Sequence, residues 1–117
     1  MTSNKGRKIS GGKYKKQRKK KRNELAGQKI VAKLGENKRK ILRTRGGNKK
    51  AKILKAKFVN INGKKVEIKN VLETPSNKFL ARQNILTKGT IVETEQGNVR
   101  ITNRPTQEGI VNGILLK

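Results

Sequence analysis

Few side chains in this sequence can do chemistry on a substrate. There is no His, Cys or Asp, so the usual general bases, thiol nucleophiles and most metal-ligand sets are missing. Glu93 and Glu95, two positions apart, resemble a carboxylate pair, but with no accompanying base or ligand they read as the solvated end of a strand. Gly46-Gly47-Asn48-Lys49-Lys50 allows the backbone to come close to a phosphate, yet the G-x-x-x-x-G-K-[ST] spacing of a nucleotide-binding loop is absent. The stretch fits better as a grip on a polynucleotide backbone, in which the glycines admit the phosphates and Arg43, Arg45, Lys49, Lys50 and Lys52 hold them.

A second basic stretch, KYKKQRKKKR at 13–22, has eight basic side chains in ten positions. It runs past the length a nuclear address needs, and no apolar stripe lies beside it as a membrane-surface helix requires. A solvated tail would leave so much charge without a purpose. The reading that uses it is an arm laid along nucleic-acid phosphates.

The whole chain supports an anionic partner. Lys and Arg number 32 against seven acids, a formal charge of +25. Residues 1–57 hold 23 of the basic residues and two acids (Glu24, Glu36), a net +21, while residues 58–117 carry only +4. Apolar residues lean towards the C-terminal part, so the N-terminal part is expected to meet the partner and the C-terminal part to fold. With no cysteine there is no disulfide or thiolate metal site, and no apolar run exceeds three residues, as at 114–116. Neither a signal-peptide core nor a membrane span is present, and the chain reads as cytoplasmic, with no cofactor, metal, membrane or small-molecule substrate expected. Aromatics are limited to Tyr14, Phe58 and Phe79. Phe58 and Phe79 sit in apolar surroundings and read as core, so recognition is expected through phosphates, 2′-hydroxyls and shape rather than base stacking.

These groups need elements to position them. Residues 1–23 contain no acid and few apolar side chains, and Gly11-Gly12 interrupts any helix, so they are expected to form an extended basic arm. Residues 24–45 mix short apolar pairs with Gly27, Gly35 and basic clusters, which predicts short strands or loops. From Gly46 onward the pattern is β-like. Asn62-Gly63 between KKAKILKAKFVNI and KKVEIKNVLET is a strong hairpin signal, because both turn positions tolerate positive φ. KFLARQN (78–84) predicts a helical turn capped by Ser76 or Asn77. GTIVET (89–94), NVRITN (98–103) and GIVNGILL (109–116) predict further strands, with turns at 96–98 and 105–109. Val99 and Ile101 alternate with Arg100 and Thr102, which gives that strand one wet face. Five or six short strands with tight turns favour a mostly β protein, a small β-barrel or strongly curved antiparallel sheet, with residues 24–117 as a single domain behind the arm.

With these motifs in place the chain resembles the S8e family of small-subunit ribosomal proteins of archaea and eukaryotes. The resemblance rests on SGGKYKKQRKKKR (10–22), KLGENKRKILRTRGGNKKAKILKA (33–56) and NKFLARQNILTKGTIVETEQGNVRITNRPTQEGIVNGILL (77–116). Its compact length is similar to the archaeal form. The resemblance implies a non-enzymatic constituent that binds and stabilises folded small-subunit rRNA beside neighbouring small-subunit proteins. Its implied RNA contacts are Gly11 and Gly12, the basic run Lys13, Lys15, Lys16, Arg18, Lys19, Lys20, Lys21 and Arg22, and a second block. That block comprises Lys38, Arg39, Lys40, Arg43, Arg45, Gly46, Gly47, Asn48, Lys49, Lys50 and Lys52. From composition alone, a DNA-binding protein of the chromatin type remains the alternative, because phosphates are common to both polymers.

Overall fold

Strands that are apolar on one side only have to close that side over a core. The computed structural model, which describes residues 6–15 and 18–116, shows how they do so. Five antiparallel strands, β4 (Phe58–Ile61), β5 (Lys64–Glu73), β7 (Ile91–Thr94), β8 (Gly97–Ile101) and β9 (Gly113–Leu115), lie in the order β4-β5-β7-β8-β9. The two edges then meet. The Asn60 N–H donates to the Val111 carbonyl at 2.9 Å, and the Asn60 side-chain amide donates to Asn112 Oδ1 at 3.3 Å. The sheet is therefore nearly closed into a barrel, and Val59, Ile68, Val92, Val99, Ile101 and Val111 are buried inside it. Asn62 (φ 47°) and Gly63 (φ 80°) make the turn between β4 and β5 with positive φ at both positions, as the Asn-Gly signal requires.

The other strands form a second sheet. β1 (Ala32–Leu34), β2 (Lys38–Arg43), β3 (Lys49–Ala56) and β6 (Ile85–Leu86) take the order β2-β3-β1-β6, and β1 runs parallel to β3. This second sheet is therefore mixed, beside the barrel-like antiparallel one. The cause is the short loop 35–37, which crosses the end of β3 and delivers β2 to its far side. Gly35 N–H donates to Ala56 O at 3.1 Å, and Asn37 Oδ1 accepts the Lys57 N–H at 3.0 Å. Lys57 alone separates β3 from β4, so one continuous stretch of chain serves both sheets. Ala32, Ile53, Ala56 and Leu86 join the barrel residues in one core.

Two short helices complete the body. Asn77 caps α1 (Lys78–Arg82) by accepting the Phe79 N–H at 3.0 Å. Only Leu80 and Ala81 of α1 are even half-buried, and Phe79 is 67% exposed. The reading of Phe79 as core is overturned: a five-residue helix turns one narrow face inward, and Phe79 falls off it. Phe58 is half-buried, with Lys65 Nζ 4.3 Å from its ring centroid. The turn at 105–109 is a helical turn, α2 (Pro105–Glu108), opened by proline and closed by Gly109. The last strand begins at Gly113 rather than 109.

Candidate nucleic-acid interface

The second basic block forms a hairpin. β2 and β3 pair in the register Arg39↔Ile53, Lys40↔Lys52, Ile41↔Ala51, Leu42↔Lys50 and Arg43↔Lys49. Directly opposed residues share a face, so Lys40, Leu42, Lys50 and Lys52 point to one side and Arg39, Ile41, Arg43 and Lys49 to the other. At the tip, Thr44 N–H and Thr44 Oγ1 both donate to the Asn48 carbonyl, at 2.7 and 2.9 Å, and this closes the loop 44–48. Gly46 and Gly47, both at φ 83°, let the loop turn without side chains at its apex, leaving Arg43, Arg45 and Lys49 exposed around it.

No acid occurs between Glu36 and Glu67, so Lys38, Arg39, Lys40, Arg43, Arg45, Lys49, Lys50 and Lys52 lie on one hairpin without a carboxylate. Like charges opposed in register, as at Lys40↔Lys52 and Arg43↔Lys49, destabilise a strand pair. An anion beside them removes that penalty. Among the described residues the only ion pairs are Arg18–Glu24 and Lys57–Glu67, neither of them on the hairpin. Of the eight cations, only Lys50 and Lys52 are half-buried; the rest are exposed.

The N-terminal candidates are arranged differently. Side chains of 6–15 and 18–29 are all exposed, and none enters the core. Residues 7–13 form a small turn in which Gly11 N–H donates to Lys8 O at 2.8 Å and Arg7 Nη1 donates to Gly11 O at 2.9 Å. Gly11 and Gly12 shape this turn, and Lys13 and Lys15 follow it. Lys16 lies outside the described residues. Further along, Arg18 donates through both guanidinium nitrogens to the Glu24 carboxylate, at 2.8 and 2.7 Å, and Lys21 N–H donates to the same carboxylate at 3.0 Å. Lys19, Lys20 and Arg22 remain without carboxylate partners among the described residues. The Arg18–Glu24 fork was not legible in the sequence, because a spacing of six residues corresponds to neither helix nor strand neighbours.

The Arg18 guanidinium, and after it the Lys21 N–H, holds the Glu24 carboxyl below its ordinary value. A lowered folded-state pKa favours the fork above the unfolded carboxylate pKa and releases it as pH falls through the lower value. Amide resonances of residues 18–24 are therefore expected to shift on acidification below the usual carboxylate range. In Glu24→Gln those resonances should be insensitive to pH. Identical titration of both proteins would contradict the fork.

The family model described as Ribosomal protein S8e matches residues 1–116. The chain is 47% identical to the small ribosomal subunit protein eS8 of Staphylothermus marinus, over 95% of this chain and 92% of that protein. It is 44% identical to the proteins of the same description from Methanococcus aeolicus, over 94% of this chain and 91% of that protein, and Nanoarchaeum equitans, over 93% and 91%.

Proposed function

The chain belongs to the ribosomal protein S8e family, and from that membership we propose that it is a constituent of the small ribosomal subunit that binds and stabilises folded rRNA by charge neutralisation. The family is one of ribosomal constituents rather than enzymes. The observation that carries the RNA reading is the hairpin, nine cations, Lys55 included, with no carboxylate among them. Arg43, Arg45 and Lys49 at its exposed tip, with Lys38 and Arg39 towards its base, put cations beside the phosphates of the RNA segments they meet. Counterions are released, and segments that repel one another are held together. Gly46 and Gly47 bring the backbone at the tip close to phosphate, and Asn48 fixes the loop through its carbonyl. The arm, from Gly11 through Arg22, extends the contact along the RNA while the barrel supplies a rigid base. On this reading residues 1–23 are the arm, residues 24–117 are the folded unit, and the protein works in the cytoplasm on the ribosome beside neighbouring small-subunit proteins.

The test is co-sedimentation with small subunits after a high-salt wash, paired with competition between structured small-subunit rRNA fragments and duplex DNA. The protein is expected to stay with the subunit and to prefer the rRNA; equal affinity for both polymers would favour the chromatin-type alternative instead. Removing residues 1–22 is expected to leave the thermal unfolding midpoint of the body nearly unchanged, since the described part of that segment buries no side chain, while weakening RNA binding at least tenfold. A collapse of the unfolding transition in the truncated protein would show that the arm is part of the fold.

A further inference from the structure

The hairpin face that carries Lys40, Leu42 and Lys52 borders the segment ahead of β1. β1 and β3 pair only at Lys33↔Lys55 and Leu34↔Ala56. Upstream of that pairing, residues 27–31 stand away from β3 across the hairpin face that carries Lys40, Leu42 and Lys52. The space between is an open groove of about 790 Å³. Its floor is aliphatic, formed by Ile30, Val31, Leu42 and Leu54, all half-buried or exposed. Its charged groups are Lys29, Lys40 and Lys52, with no acid among its lining residues and no ion-pair partner for any of the three among the described residues. The backbone of residues 26–30 makes no hydrogen bond within the chain among the described residues.

We propose that this groove docks an extended peptide segment of a neighbouring protein that alternates carboxylate and aliphatic side chains. Three features of the groove select this occupant over RNA. Unpaired backbone N–H and C=O groups along an extended segment are completed by another extended chain, as when a strand adds to a sheet edge. The aliphatic floor of Ile30, Val31, Leu42 and Leu54 offers apolar side chains a place to be buried, which phosphate and ribose groups cannot use. Three lysines without a counter-charge select carboxylates and reject a basic segment. Five residues of free backbone span roughly 17 Å, enough for a peptide of about five residues. The proposal deepens the ribosomal reading by assigning a place to a protein neighbour, but peptide binding itself does not depend on the RNA being bound.

The test uses the full-length protein and two capped hexapeptides of equal charge, one alternating glutamate with leucine and one glutamate with serine. Nuclear magnetic resonance follows the backbone signals, and a uridine hexanucleotide serves as the RNA probe. The glutamate–leucine peptide is expected to bind about tenfold more tightly than the serine peptide, the margin that burial of a leucine side chain supplies. Its shifts should centre on residues 26–31, Lys40, Leu42, Lys52 and Leu54. Leu42→Ser should erase the margin and Lys40→Glu should weaken both peptides, with the signals of Val99 and Ile101 unmoved in each variant as proof of folding. Equal affinity for the two peptides, shifts centred elsewhere, or the hexanucleotide displacing the leucine peptide from these residues would overturn the proposal. Co-sedimentation with the small subunit would stand in any of those cases, so failure of the groove and failure of the ribosomal reading are separable.

Discussion

Raising monovalent salt from 50 to 200 mM is expected to weaken binding to a structured small-subunit rRNA fragment by about 10³ to 10⁵, the loss for about six to ten neutralised phosphates on duplex-like scaling. The distribution of charge sets the number of contacts. The hairpin alone, residues 38–56, carries nine cations and no acid. In the arm, Arg18 is engaged by Glu24 in a two-pronged fork, so it contributes to the slope only if RNA displaces the carboxylate. The hairpin also predicts where the slope is lost. Arg43→Ala and Arg45→Ala, at the exposed tip, should each lower the logarithmic salt slope by about one if each side chain meets one phosphate. Lys57→Ala, whose ammonium lies 3.0 Å from Glu67, should change it least. Titrations of binding against salt, read by filter retention or fluorescence, measure these slopes. A slope below about three for the intact protein would refute charge neutralisation as the mechanism.

Which residues carry charge and which strand faces are apolar could be read directly from the sequence. Val99 and Ile101 alternate with Arg100 and Thr102, and the first pair is buried while the second is exposed. Asn62-Gly63 marked a hairpin turn because few other dipeptides accept two successive positive φ values. What stayed hidden was non-local. Residues 49–61 read as one β run, but the chain changes sheets at Lys57, a single residue with no composition signal of its own. Parallel pairing of β1 with β3 depends on a three-residue crossing that no periodicity encodes. Phe79 was misread because apolar neighbours in sequence are not neighbours in space on a helix of one turn and a half. For the candidate interface, residue type gave the chemistry, while register gave the finding that the hairpin is basic on both faces.

Val99→Asp is expected to abolish cooperative unfolding at ordinary temperature. Val99 is wholly buried at the centre of the barrel, paired with Val92 on one side and Leu115 on the other. A carboxylate there loses its hydration among aliphatic side chains, and the loss is of the same order as the 5–15 kcal/mol stability of a whole domain. The site has no slack to relieve it. A Cβ added at Gly113 would collide with Val99 Cγ1 and come within 3.2 Å of Val59 Cγ2, so the strands are already as close as glycine permits. Gly113→Ala is expected to be destabilised by about 1–3 kcal/mol through overpacking alone. Arg100→Ser, one residue along on the wet face, should change stability by no more than about 0.5 kcal/mol. Chemical denaturation followed by circular dichroism separates the three variants, and an unchanged midpoint for Val99→Asp would refute the barrel core. Because β3 runs into β4 across Lys57, the hairpin has the barrel as its anchor. Val99→Asp should therefore also lose the RNA affinity of the hairpin, although Val99 itself is on the inside of the barrel and touches no RNA. Arm truncation should have the opposite pattern, weaker binding with an intact unfolding transition, and that contrast assigns the folding energy to the barrel and the affinity to its basic extensions.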